Sequence, residues 1–177
     1  MKRLITGCAV IGSALTFLAA PVAGAASNTA TTLFPLDGPN QLETRTILNC
    51  FKADGHCDFT AGADMLTPDG VTGFPNGLWA RQTTEIRSSN RLAYLDAHAN
   101  GEHERVMKSM GSDEITTVYF GEGPPEKYQT TGRIDSTDWQ TGQPKTDNNV
   151  IVCTHIQVVY PGVNITSPST CAVTTFS

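Results

Sequence analysis

The densest group of side chains able to do chemistry lies in residues 98–104, where two histidines and two glutamates occur within seven positions. Imidazole and carboxylate groups bind metals, and they also act as general acids and bases. His98, Glu102 and His103 are therefore the candidate catalytic residues of a small secreted hydrolase. The dipeptide Asn100-Gly101 favours a turn, which keeps His98 from Glu102 unless a hairpin brings His98 opposite His103. The alternative is a solvated polar turn without a tight metal site, and this alternative is favoured.

Three acidic residues form a second candidate site. Asp54 precedes Gly55 in a turn dipeptide, and Asp58 and Asp64 follow it in the chain. Carboxylates near a glycine turn can bind calcium through their oxygens, although the order here does not match the EF-hand pattern. The alternative is that aspartate is present because it suits turns. The sequence therefore predicts no metal and no cofactor, with these three residues as weak candidates for a metal, and the hydrolase alternative above could work with or without one.

Aromatic residues offer a third kind of site. Trp79 and Trp139 fall near predicted loops, and Phe74 and Tyr128 are possible neighbours. Exposed rings on a β scaffold are suited to binding proteins and sugars. The alternative is that both tryptophans close the ends of the core, since tryptophan is usually largely buried. These four residues are the candidate binding residues, and the expected partner is an extracellular protein or carbohydrate.

Signatures of known catalytic machinery are missing from the sequence. It contains no Gly-x-Ser-x-Gly elbow, no His-Glu-x-x-His, no phosphate loop and no dinucleotide fingerprint. His155 lies beside Cys153 on a strand, where histidine is more often hydrogen-bonded to a neighbour than catalytic. Enzymatic activity is therefore left open, and a non-enzymatic role is favoured.

The first residues predict export. Met1-Lys2-Arg3 is basic, residues 4–20 are apolar and uncharged, and Ala23 and Ala25 form an Ala-x-Ala cleavage site. This pattern is typical of a secretory signal peptide over residues 1–25. The apolar run is short for a transmembrane anchor. The expected product is secreted or held in the cell envelope, with no membrane span after cleavage.

The charge of the predicted mature chain argues against a nucleic-acid partner. Removing Lys2 and Arg3 from 12 basic residues leaves 10 against 17 acidic ones, a net charge of −7. An acidic surface repels phosphate backbones.

Four cysteines remain after predicted cleavage removes Cys8. An even number in an exported chain indicates disulfides, and three pairings are possible. We favour Cys50–Cys57 and Cys153–Cys171, because each pair brackets a turn-rich segment. Zinc is the rival interpretation, but neither spacing is the close pair that zinc sites use.

Periodicity places these residues on a β scaffold. The strongest strand signal is 149–160, in which Val150, Val152, Ile156 and Val158 share one face. Further strands are predicted at 42–51, 78–87, 91–98, 114–120, 127–134 and 170–176, with 78–87 and 91–98 forming a hairpin. Residues 26–40 are expected to be a mobile lead-in and 58–76 a long loop. Residues 102–110 are the single plausible helix, although so short a segment could equally be a strand.

The predicted fold is all-β, an antiparallel sandwich or partly open barrel of about seven strands with two disulfides and little helix. It occupies residues 41–177 as a single domain. The predicted function is a secreted, disulfide-linked extracellular module for binding or structure. Two alternatives are the small hydrolase described above and a secreted inhibitor or effector that presents loop 58–76 to a partner protein.

Overall fold

The computed structural model describes residues 25–177, so the predicted signal peptide lies, apart from Ala25, outside the described residues. Within this range the chain is almost entirely β, and its one helical element is a 3₁₀ turn at Pro125–Tyr128. No helix in the described part is long and apolar enough to cross a membrane. The strands are β1 (Ala26–Pro35), β2 (Gln41–Phe51), β3 (His56–Thr67), β4 (Gly70–Thr72), β5 (Trp79–Ser88), β6 (Tyr94–Ala99), β7 (Glu104–Ser109), β8 (Ser112–Phe120), β9 (Gln129–Thr137), β10 (Val150–Tyr160), β11 (Val163–Thr166) and β12 (Thr170–Thr174).

The strands form two six-stranded antiparallel sheets that pack as a sandwich. The first sheet has the order β1-β2-β3-β9-β6, with the short β4 beside the end of β3. The second has the order β11-β10-β5-β8-β7. Strand β12 pairs with the first half of β10 and β11 with its second half, on the side away from β5. The predicted fold class, an antiparallel β-sandwich, is confirmed.

Strand β10 shows why the sequence builds this core. Its residues alternate strictly between buried and half-buried positions, so the predicted apolar face is confirmed. The core around it is divided into two apolar clusters, one containing Val150 and Val152 and the other Ile156 and Val158. Between the clusters lies a band of buried threonines joined by hydrogen bonds across strands and between the sheets, which satisfies their hydroxyl groups.

Both predicted disulfides are present. Cys50 and Cys57 are opposite each other on β2 and β3 and are fully buried. Cys153 and Cys171 are opposite each other on β10 and β12. The second pair lies on the outer surface of its sheet, since Cys153 is half-buried and Cys171 exposed.

Several predicted segments differ from the structure. The predicted lead-in 26–40 contains β1, which pairs with β2 along its whole length. Its short polar residues resemble a loop in composition, but its threonines suit an edge strand. The predicted loop 58–76 contains most of β3, whose alternation is hidden by the small residues at 61–63, and all of β4. Because β1, β3, β4, β7 and β11 were not predicted as strands, the sandwich has more strands than expected.

Two further predictions are wrong in their pairing or type. The predicted helix 102–110 is the edge strand β7, which pairs with β8. The spacing of Val106 and Met110 satisfies a helical period and a strand period equally well over so few residues. The predicted hairpin of 78–87 with 91–98 does not form, because β5 pairs with β10 and β8 whereas β6 pairs with β9 in the other sheet. Loop 89–93 therefore crosses from one sheet to the other.

The strand registers bring several distant loops to one end of the sandwich. Tyr94 is opposite Thr137, and Ser88 is opposite Val150. We call this the Trp139 end, and it is formed by loops 52–55, 89–93, 110–111 and 138–149. The opposite end, which we call the Gly123 end, is formed by loops 36–40, 73–78, 100–103 and 121–124.

Candidate functional site

A groove of 580 Å³ opens at the Trp139 end and has an unusually apolar surface. Four of its lining residues are large, apolar and exposed: Leu92 by 65%, Tyr94 by 44%, Met110 by 99% and Trp139 by 73%. Single exposed apolar residues are common on proteins, but a contiguous group of them indicates an interaction site. Loops 89–93, 110–111 and 138–149 all contribute to it, and these loops are far apart in the chain.

Hydrogen bonds order the loop that carries Trp139. The preceding residue, Asp138, accepts bonds at one carboxylate oxygen from the backbone N–H groups of Gln140 and Thr141, both at 3.0 Å. These bonds also lower the pKa of Asp138, the bond from Thr141 most. The backbone of Asp138 bonds to Gln143 and Gly142 as well. An aromatic ring held by an ordered loop loses little further conformational entropy on binding.

Arg91 lines the same groove and has an unusual backbone. Its φ of 57° lies in the left-handed region, and no other non-glycine residue in the described range has a positive φ. Such conformations persist only where neighbouring contacts hold them, and they concentrate at functional sites. Here the N–H of Arg91 donates to the carbonyl of Ser88 at 3.2 Å, and the N–H of Leu92 donates to the side-chain oxygen of Asn90 at 3.0 Å.

A glycine allows the two loops that form the groove to pack together. Gly111 has a φ of 90°, and a Cβ at this position would lie 3.1 Å from the Cβ of Arg91. Any larger residue would be strained and would press against the Arg91 loop. The shape of the groove therefore depends on the backbone conformations of Gly111 and Arg91 as well as on its apolar side chains.

Two cations line the groove, and only one of them is paired with an acid. Lys108 forms an ion pair with Asp96 on β6. Within residues 25–177, Arg91 makes no salt bridge. A chain of net acidic charge thus presents an uncompensated cation beside its most apolar surface.

The predicted catalytic residues do not converge. His98 lies on β6 of the first sheet, where its Nε2 is 3.4 Å from a carboxylate oxygen of Asp96. His103 precedes β7 of the second sheet, and its ring meets the Phe120 ring edge-on at 5.8 Å between centroids. His98 therefore lies in the first sheet and His103 in the loop that leads to the second, and β6 and β7 do not pair with each other as a hairpin. Glu102 is exposed and lines a 260 Å³ cleft with His103.

The predicted metal ligands are also apart. Asp54 contacts His56 Nδ1 at 2.7 Å in the turn before β3. Asp58 and Asp64 share a face of β3 but are six residues apart, which is about 20 Å at the rise of a β-strand. Among the described residues, no group of three histidine, cysteine or acidic side chains is placed to hold a metal ion.

The four aromatic residues predicted to bind a partner differ in their exposure to solvent. Phe74 and Tyr128 are buried and pack edge-on at 4.9 Å, so they cannot present their rings to a ligand. The Tyr128 hydroxyl donates to the carbonyl of Gly121 at 2.8 Å. Trp79 is half-buried on the outer face of the second sheet, in register with Phe120. Trp139 is exposed and is the one of the four that lines the groove.

Residues of the groove that the sequence did not single out are Arg91, Leu92, Tyr94 and Met110. Leu92 and Tyr94 fall in the strand predicted at 91–98, and Met110 ends the helix predicted at 102–110. One signal was available: Met110 precedes Gly111, a combination that suits a turn with an exposed first residue. Their proximity to Trp139 depends on the sheet pairing and could not be derived.

His155 lies on the outer face of β10 in a half-buried position beside Cys153, as the alternation predicts.

Comparisons with known protein families, with curated proteins and with solved structures find no match to this chain.

Proposed function

We propose that the protein is an exported binding module whose contact site is the apolar groove at the Trp139 end. The observation that carries this proposal is the contiguous exposure of Leu92, Tyr94, Met110 and Trp139, which lie on three loops and at the start of β6. Leaving such a surface in water is unfavourable by roughly 25 cal/mol per Å² of apolar area, so covering it with a ligand releases free energy. A role in binding explains why the surface is retained.

The composition of the groove favours a protein partner over a carbohydrate. Tryptophan, tyrosine, methionine and arginine are the residue types enriched at protein–protein interfaces, and all four line this groove. Met110 and Leu92 supply adaptable aliphatic surface, which suits a protein side chain better than a sugar ring. The predicted secretory signal and the two disulfides are compatible with an extracellular location.

A hydrolase is less well supported by the geometry. His98 is beside Asp96 on β6, and His103 is in the loop before β7, beside an aromatic ring. General acid–base catalysis needs groups within reach of one reacting bond, and these two are not placed that way. An effector that presents loop 58–76 to a partner is also less well supported, because most of that segment is strand and not loop.

The proposal is tested by NMR titration of isotope-labelled protein with the neutral peptide acetyl-Gln-Phe-Leu-Gln-amide. We expect shifts at residues of the groove, and Trp139→Ala should raise the Kd at least about fivefold, as loss of an aromatic anchor does. Phe120→Ala is the matched control, because Phe120 is also an exposed aromatic residue but lies toward the Gly123 end. A peptide that binds elsewhere, or an oligosaccharide such as cellohexaose that binds the groove while the peptide does not, would overturn the proposal.

A further inference from the structure

We propose that the groove selects a protein segment in which an acidic side chain adjoins an apolar one, with Arg91 as the specificity-determining residue. This inference rests on the proposed function and adds the chemistry of the partner. It depends on a single juxtaposition: an uncompensated guanidinium on a conformationally restrained loop beside the exposed rings of Tyr94 and Trp139.

The position of Arg91 is set before any ligand arrives. Its left-handed backbone is held by the bond to Ser88 and by the Asn90 turn, and Gly111 leaves just enough space against its Cβ. A guanidinium presents five donors in a planar fork that matches a carboxylate, and it is more weakly hydrated than an ammonium. Restraint of the backbone reduces the entropy lost when such a side chain is engaged.

Charge complementarity then identifies the partner. The residues that line the groove include two cations and no acid. Of the acids near this end, Asp96 pairs with Lys108, whereas Asp138 and Asp147 share Lys145, at 4.0 and 3.0 Å. Arg91 is the lining cation without such a partner in residues 25–177. The rest of the acidic chain acts weakly here, because salt screens exposed charges beyond about 8 Å at physiological ionic strength. A carboxylate brought to the groove would therefore meet a net attraction, and an ammonium would meet repulsion.

Three peptides with the same apolar centre and differently charged flanks test this inference by NMR titration: acetyl-Glu-Phe-Leu-Glu-amide, its nearly isosteric neutral form acetyl-Gln-Phe-Leu-Gln-amide and acetyl-Lys-Phe-Leu-Lys-amide. At low ionic strength we expect the acidic peptide to bind about tenfold more tightly than the basic one, with a preference that shrinks as salt is added. Arg91→Asn should abolish this preference, so that the acidic and basic peptides bind with similar Kd values. Asparagine tolerates the left-handed backbone, and Arg91→Gly is a second variant suited to it.

Arg81→Gln is the matched control, because Arg81 is an exposed arginine on β5, outside the groove. Its loss should leave the charge preference intact, which separates a local effect from a change in net charge. Equal binding of the acidic and basic peptides would overturn this inference and leave the binding function standing, as would binding of the neutral peptide alone. Failure of all three peptides to bind would overturn both proposals.

Discussion

At the scale of single residues, Asp64 is a buried carboxylate whose hydrogen bonding is incomplete. It is 5% exposed, and its Oδ1 has no hydrogen-bond partner within the described residues. Burial raises the pKa of Asp64 to about 6; Arg45 opposes the shift, whereas Glu43 and Glu126 add to it. Glu43 is directly opposite Asp64 on β2 and forms an ion pair with Arg45. Because Glu43 neutralises much of the Arg45 charge, Arg45 stabilises the Asp64 carboxylate only weakly.

The raised pKa of Asp64 predicts a stability that falls with rising pH. Between the ordinary value of 3.8 and about 6, the folded state holds the Asp64 proton and the unfolded state does not. The free energy of unfolding therefore decreases as pH rises through this window. Asp64→Asn should remove that decrease and stabilise the protein near neutral pH by on the order of 1–3 kcal/mol. Urea denaturation of parent and variant across the window measures the difference.

The control for this prediction is Asp58→Asn, which changes an exposed carboxylate on the same face of β3. Asp58→Asn should leave the change in the free energy of unfolding between acidic and neutral pH nearly the same as in the parent. If Asp64→Asn is instead destabilising at neutral pH, the charged form of Asp64 has a favourable partner and the argument fails.

At the scale of elements, a buried carboxylate joins the edge strand of the first sheet to the second sheet. Strand β6 is the edge of the first sheet, so the N–H groups on its outer side have no strand to bond. The N–H of Ala97 instead donates to Oδ2 of Asp113 on β8, at 2.8 Å. Burial raises the pKa of Asp113, and the bond from Ala97 opposes that shift. This contact protects an edge strand and ties the sheets together.

Asp113→Ala should cost about 1–3 kcal/mol, because it leaves a buried N–H without an acceptor. Asp113→Asn keeps an acceptor oxygen at the same place and should cost less. Chemical denaturation gives the two free energies, and hydrogen exchange of the Ala97 amide reports the bond directly. Unchanged protection of that amide in Asp113→Ala would show that the bond does not hold the edge.

Strand β10 is where we expect stability rather than binding to reside. Ile156 is fully buried in the second apolar cluster, and its N–H donates to the Ser167 hydroxyl at 3.1 Å. Ile156→Ala should leave a cavity and cost about 2–5 kcal/mol. His155→Ala, on the outer face, should cost much less and leave peptide binding intact. Denaturation of both variants measures this, and a larger loss for His155→Ala would reverse the assignment of faces.

At the scale of the whole molecule, the two disulfides are placed very differently. Cys50–Cys57 is enclosed in the first apolar cluster, whereas Cys153–Cys171 lies on the surface of the second sheet. Thiol–disulfide exchange requires access to a sulfur atom. The surface bond closes a separation of 18 residues and the buried one a separation of 7, so the chain-entropy contribution of the surface bond is the larger, about 3 kcal/mol.

Mild reductant under native conditions should therefore open Cys153–Cys171 first, while Cys50–Cys57 persists until the protein unfolds. Alkylation at successive times followed by peptide mass spectrometry follows each bond separately. Unreduced, denatured protein should show no free thiol at any of the four cysteines. Earlier loss of Cys50–Cys57 would mean that its end of the core opens locally.

Local pattern was sufficient to predict much of the scaffold. Alternation located β2, β5, β8 and β10 and assigned the buried face of β10, because side-chain direction in a strand reverses with every residue. Cysteine number and spacing led to the correct disulfide pairing. Small or polar strands were missed, as in β1 and β3, because their side chains carry no alternating apolar signal.

Sequence alone thus determined the class of fold, the disulfides and the face that β10 buries, since each depends on neighbours along the chain. Only the tertiary structure decided which strands pair, because hydrogen bonding between strands is nearly independent of side-chain identity. That pairing placed His98 in the first sheet and His103 in the loop that enters the second. It also brought Arg91, Met110 and Trp139 together from three loops. The groove depends on strand registers between residues that are far apart in the chain, and the spacing of neighbouring residues does not reveal those registers.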